Sequence, residues 1–295
     1  MATLPENPNI ETIYREKVRE QRDPHIKNVI KLLNQIAYKH HMYDVFRDFV
    51  AMTALALSNV ADKSQFEKRE AEYFRVIKKY DKEELNLFPQ AFAELVMAYE
   101  FGFDDILGSL FMQLELGNDK RGQFFTPYHV CRLMSVITGD DAIREKIATR
   151  GFVMASDPCV GAGAMMIALA QSMKETGINY QQQLYIVTQD IDITAVHMAY
   201  IQFTLFHIPA VVILGNSLAL EEKEHWYTLA HFMGHWDARL KTASMVDKFK
   251  SIIKKIDSAE QPKVGSTKLS KEPKVITTPD PIVEPIKIGE QISLF

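Results

Sequence analysis

From residue 10 to about residue 115, apolar side chains recur at helical spacing. Ile26, Val29, Ile30, Leu33 and Ile36 form one stripe, and Phe46, Phe49, Val50, Thr53 and Leu57 form another. Asp62 stands ahead of a charged helix that carries Phe66, Tyr73, Phe74 and Ile77 on its apolar side. Asp81, with Glu84 three residues on, spells a capping box for the helix bearing Leu85, Phe88, Phe92, Leu95 and Val96. The pattern predicts a helical bundle packed on whatever follows it. The adjacent His40 and His41 read as surface features of that bundle rather than as a metal pair.

The period then changes. Phe152 to Ala155 is a short apolar run that ends in Asp157-Pro158, followed by the glycine pair Gly161 and Gly163 and an apolar helical run through Ala164, Met165, Ile167, Ala168 and Leu169. That order is strand, tight turn and helix. Glycine lets a ligand approach the turn's backbone, and the helix start then offers free N–H groups. Gln183 to Val187 reads as a second strand, ending in Thr188-Gln189-Asp190-Ile191-Asp192 before another helix. Ala210 to Leu214 reads as a third, ending in Gly215-Asn216-Ser217. Alternating strands and helices predict a parallel sheet with right-handed crossovers, whose ligands sit at the carboxyl ends of the strands. Asp157, Asp190 and Asn216 all fall at such ends, so one pocket gathers two carboxylates and an amide. An acid after the second strand is the usual partner of ribose hydroxyls.

Composition narrows the setting. The 295 residues suffice for two ordinary domains, and 47% hydrophobic content supports real cores. A net charge of −4 gives no global argument for nucleic acid, so any basic surface is local. Cys131 and Cys159, the two cysteines, lack metal-ligand spacing and fit a reducing compartment. No secretory signal and no membrane-length apolar run is visible, so the expectation is a cytoplasmic protein with no membrane partner and no metal.

Three further stretches stand out. Gly117 to Pro127 reads G-N-D-K-R-G-Q-F-F-T-P, a loop in which Thr126 can cap a helix with Pro127 at its first position. Phe124 and Phe125 are then either a hydrophobic staple or an aromatic wall for a flat ligand. Glu224 to Trp236 reads E-H-W-Y-T-L-A-H-F-M-G-H-W and has three readings: a strand with core-filling aromatics, a base-stacking site using Trp226, Tyr227 or Trp236, or a metal site from His225, His231 and His235. Beyond it, one helix over roughly Ala238 to Ile256 precedes a Pro- and Lys-rich tail that cannot bury a core and ends in Gln291-Ile292-Ser293-Leu294-Phe295.

Together these pieces resemble the γ-class N6-adenine DNA methyltransferases, such as the modification subunit of type I restriction systems. The resemblance covers roughly Gly117 to Leu218. G-Q-F-F-T-P is similar to the motif that borders S-adenosylmethionine (SAM), and D-P-C-V-G-A-G to the motif that cradles its methionine part. Q-D-I-D is similar to the motif whose acid, here Asp190, binds the ribose. G-N-S-L is similar to a motif that usually reads G-D-S-L, and Asn216 stands where that acid contacts the adenine amino group. The resemblance implies a Rossmann-like α/β SAM-dependent methyltransferase sheet behind an α-helical N-terminal domain. It implies SAM as cofactor, held by Phe124, Phe125, Thr126, Asp157, Gly161, Gly163, Asp190 and Asn216, and DNA as substrate.

One departure matters. The family's N-P-P-[YF] motif, which accepts from the target amine and stacks on the flipped base, has no counterpart, since no Pro-Pro pair occurs in the chain. Its catalytic residue is therefore unassigned, and the sheet reads as truncated. The expected organisation is a helical domain over 1–116, the methyltransferase-like domain over 117–256, a linker over 257–290 and a terminal peptide over 291–295. Q-I-S-L-F is similar to the pentapeptide by which bacterial proteins bind the DNA sliding clamp, with Gln291, Leu294 and Phe295 as its anchors. The expectation is a SAM-dependent methyltransferase aimed at adenine N6 and brought to DNA by the clamp. The alternative is an inactive accessory module that acts through SAM, DNA, the clamp or a specificity or catalytic partner subunit.

Overall fold

The computed structural model describes residues 10–114, 125–137, 140–259 and 292–293. Phe124, Gln291, Leu294, Phe295 and the linker from residue 260 lie outside these.

Five helices lead the chain: α1 (Ile10–Ile36), α2 (Met42–Ala61), α3 (Phe66–Ile77, entered through the 3-10 turn Lys63–Gln65), α4 (Lys82–Tyr99) and α5 (Ile106–Gln113). The capping box forms as expected: the Asp81 carboxylate accepts from Glu84 N at 2.9 Å, and the Glu84 carboxylate accepts from Asp81 N at 2.9 Å. The two adjacent histidines serve helix ends. His41 Nδ1 accepts from Tyr43 N to cap α2, and the His40 ring meets Glu84 at 3.2 Å.

Helices α6 (Tyr128–Ile137) and α7 (Asp140–Arg150) then lead to β1 (Val153–Asp157), α8 (Ala164–Glu175), the short α9 (Tyr180–Gln183), β2 (Leu184–Asp190), α10 (Ile193–Leu205) and β3 (Ala210–Asn216). β1, β2 and β3 are parallel neighbours, with Ala155 opposite Ile186 and Thr188 opposite Val212. Both crossovers step the same way along the sheet, so right-handedness places α8 and α10 on one face. The strands obey the period of two: Val153, Ala155, Leu184, Ile186, Ala210 and Val212 join one continuous buried cluster with α8, α10 and the leading helices. On the other face, Phe152 and Tyr185 pack against Trp236, with ring centroids 5.1 and 5.0 Å away.

The sheet has the order β4-β3-β2-β1-β5 and departs from a uniformly parallel one at its β4 end. β4 (Glu221–Tyr227) runs antiparallel to β3, with Val212 opposite Trp226. The reason is length. Only residues 217–220 separate the two strands, whereas a parallel return needs a dozen residues or more. A hairpin is the one connection available. On the far edge, β5 (Ile292–Ser293) lies parallel to β1, with Ile292 opposite Ala155 and Ser293 opposite Ser156.

One compact unit takes in the described residues as far as Trp236 together with β5. It includes the short α11 (Leu229–Met233), after which α12 (Trp236–Ala259) runs on into a second unit. Among the described residues, no helix is long and apolar enough to cross a membrane.

Candidate cofactor site

The turn after β1 is sewn to the end of β2. Asp157 Oδ1 accepts from Cys159 N at 3.0 Å, which starts the turn as an Asx-type reversal. Val160 N then donates to Gln189 O at 3.0 Å, and Gly161 N donates to Asp190 Oδ2 at 2.9 Å. The other Asp190 oxygen accepts from Asp192 N at 3.0 Å, and Asp192 in turn caps α10. The two acids at these strand ends therefore shape the loop as well as facing the site.

Both glycines are required by backbone and by space. Gly161 has φ of 55° and Gly163 has φ of 100°. A Cβ on Gly163 would stand 2.7 Å from the Phe203 ring, and one on Gly161 would stand 2.9 Å from the Phe125 ring. Phe125 lies over the glycine turn and packs edge-on against Phe111 of α5, 5.2 Å between centroids. Thr126 is exposed beside it. α6 begins one residue later than its Pro127 start suggests, with Pro127 O accepting from Cys131 N. Burial pushes the carboxyls of Asp157 and Asp190 above the ordinary carboxylate range, opposed by the backbone N–H groups that each accepts from.

Asn216, at the end of β3, is already engaged. Its amide oxygen accepts from Leu218 N at 3.1 Å and Ala219 N at 3.2 Å. With those lone pairs used, the group left for a ligand is the amide nitrogen, a donor.

The aromatic stretch begins on the edge strand β4. β4 is antiparallel, so Trp226 and Tyr227 face Val212 and Val211, near the start of β3 and about 13 and 16 Å from Asn216 at strand rise. Trp226 is buried against His197 and Tyr200, and Trp236 against Phe152 and Tyr185. Of the three readings of this stretch, burial agrees with core-filling for Trp226 and Trp236, while Tyr227 is half-buried. Two histidines of the stretch have side-chain partners, His231 with the Tyr185 hydroxyl and His225 with Glu222.

Gln202 and Phe203 of α10 escaped the sequence reading. Phe203 is one apolar residue among many. Gln202 left a trace, as a lone amide between Ile201 and Phe203 in an apolar helix.

Residues 103–246 match the model of the N-6 DNA Methylase family. Two solved structures are similar in part. One is assigned as a class I S-adenosylmethionine-dependent methyltransferase of Listeria monocytogenes, 13% identical, with a TM-score of 0.36 over 68% of this chain and 55% of that one. The other is the methyltransferase subunit of a type I restriction-modification system of Streptococcus thermophilus, 17% identical, with a TM-score of 0.30 over 70% of this chain and 57% of that one. The chain thus spans little more than half the length of either. No curated protein matches it.

The residues present fit SAM. An ionised carboxylate has about four acceptor positions. Asp190 uses two of them on backbone N–H groups, which leaves one on each oxygen for a pair of neighbouring ribose hydroxyls. The N-cap of α8 is Gly163, with no side-chain cap, so the first-turn N–H groups remain for a ligand carboxylate. Residues 103–246 are thus an N-6 DNA methylase-like segment on an α/β sheet, and S-adenosylmethionine is the cofactor that goes with it.

Proposed function

We propose that the chain is a SAM-binding DNA methyltransferase module directed at adenine N6. The observation that carries this reading is the glycine turn held against β2 by Asp190. Asp190 binds the ribose, the backbone of Gly161 to Gly163 and the start of α8 receive the methionine part, and Phe125 closes over the turn, with Thr126 beside it. Asp157 fixes the turn's entry, and the Asn216 amide nitrogen is placed to donate to an adenine ring nitrogen. SAM supplies an electrophilic methyl group. What this chain supplies is its binding and orientation.

A second reading has its own observation. No Pro-Pro pair exists in the chain, and the strand after β3 folds back as a hairpin instead of crossing over to the β1 side of the sheet. The chain then works as an accessory that binds SAM and DNA, with the catalytic motif on a partner subunit. Calorimetric titration with SAM tests the common part; micromolar binding is expected, and none from a folded protein would remove both readings. Tritium transfer from labelled SAM to unmethylated DNA separates them, since the chain alone transfers label only under the first.

For the tail we propose sliding-clamp recruitment through Gln291, Leu294 and Phe295, on the strength of the Q-I-S-L-F resemblance. Deleting residues 291–295 should eliminate co-elution with the clamp and leave SAM affinity unchanged. The pairing of Ile292 and Ser293 with β1 predicts a different result, a lower melting temperature with no change in clamp binding.

A further inference from the structure

Gln202 is fully buried in α10, yet its side chain makes every hydrogen bond that an amide can make at this place. Its Oε1 accepts from the Tyr99 hydroxyl at 2.8 Å and from Leu107 N at 3.2 Å. Its Nε2 donates to Asp105 Oδ1 at 2.7 Å and to Ala162 O at 2.7 Å. The amide orientation is fixed chemically, because Leu107 N–H can only donate and Ala162 O can only accept. Ala162 is the residue between the two turn glycines. Asp105 in turn caps α5 through Gly108 N at 2.9 Å, and α5 carries Phe111, on which Phe125 packs. One side chain therefore holds the glycine turn to the helices that bear its aromatic cover.

We propose that Gln202 is a positioning residue for the cofactor turn: by bridging Ala162 O to Asp105, Tyr99 and the start of α5, it fixes the turn and its Phe125 cover in the geometry that receives SAM. The inference rests on the SAM-site reading above. It predicts a coupling between the leading helices and the site that contact with the ligand does not require.

Three variants and two readouts test it. Gln202→Leu should weaken SAM binding at least tenfold and speed amide hydrogen exchange at Val160, Gly161 and Gly163, while the protein still melts cooperatively. Tyr99→Phe removes one donor and leaves Leu107 N in place, so it should weaken binding by a smaller factor, about two- to fivefold. Gln202→Glu keeps the acceptors for Tyr99 and Leu107 but sets a second carboxylate against Asp105 and Ala162 O. Arg22, Asp104, Tyr99, Tyr128 and Cys131 are the other ionisable groups around that pair. Sharing a proton between the carboxyls relieves the repulsion, so this variant should bind poorly near pH 8 and recover toward pH 5.5, a recovery larger than any in the unchanged protein, where burial pushes Asp105 alone up to about 6.

Wild-type affinity and wild-type exchange in Gln202→Leu would overturn the inference. Should that variant fail to fold, unchanged binding in Tyr99→Phe together with a flat pH profile in Gln202→Glu would do the same. Should the unchanged protein not bind SAM, the SAM-site reading falls, and hydrogen exchange alone decides whether Gln202 holds the turn.

Discussion

Asp190→Ala leaves no measurable SAM binding in a calorimetric titration, while the circular dichroism spectrum and the cooperative melt are retained. Two effects add. The variant loses charge-assisted bonds to the two ribose hydroxyls, each worth about 1.5–3 kcal/mol, so affinity falls by at least about a hundredfold. It also strips Gly161 N and Asp192 N of their acceptor, loosening the turn in the free protein. The fold survives because the turn keeps its other ties, Val160 N to Gln189 O and Ala162 O to Gln202. Asparagine is no gentle substitute. Its amide nitrogen must face either Gly161 N–H or Asp192 N–H, a donor against a donor, so Asp190→Asn should be nearly as defective. A dissociation constant within threefold of the unchanged protein in Asp190→Ala would discard the ribose assignment.

Local signals in the sequence were enough for the strands and their turns, because each depends on neighbours in the chain. The run Val153 to Asp157 pairs as a parallel strand, Gly161 and Gly163 adopt positive φ, and Asp81 and Glu84 close their box. The direction of β4 was also open to view, in the short spacing from Asn216 to Glu221, and a strand with core-filling aromatics was among the three readings of Glu224 to Trp236. What the sequence concealed were contacts across long separations. Phe125 lies on Gly161, and Gln202 reaches Tyr99, Asp105 and Ala162, pairings that no periodicity encodes. Asn216 shows a third limit. Its place at a strand end was legible, but the use of its oxygen within its own turn depends on the backbone path.

Arg69→Ala should be the most destabilising single change in the helical part, by about 3–5 kcal/mol, the range for removing one partner of a buried ion pair. Arg69 sits on α3 with 5% of its surface exposed. Its guanidinium donates to Ser58 Oγ, to Asp62 at 3.2 Å and to His225 O of β4 at 2.8 Å, and its centre stands 4.2 Å from the centroid of the buried Trp226 ring. Burial lowers the guanidinium's proton affinity, and Asp62 opposes that shift, so the charge is kept by its partner. Truncation strands the Asp62 carboxylate with only Ser64 to satisfy it, leaves His225 O without this donor and opens space over the indole. A loss of that size takes a large share of the total stability of an ordinary domain and should lower the melting temperature by on the order of 10 °C. Arg69→Lys keeps the charge but not the planar fork that serves three acceptors at once, so it should fall between the two. Arg69 meets β4 at His225, opposite Ile213 and two strands away from Gln189, and touches none of the residues that hold the glycine turn, so the variant protein that remains folded should bind SAM with unchanged affinity. A melting temperature within 2 °C of the unchanged protein would show that the helical layer is held to the sheet by its apolar contacts alone. A loss of SAM affinity in the folded variant would mean that the clamp of α3 on β4 reaches the cofactor end through the sheet.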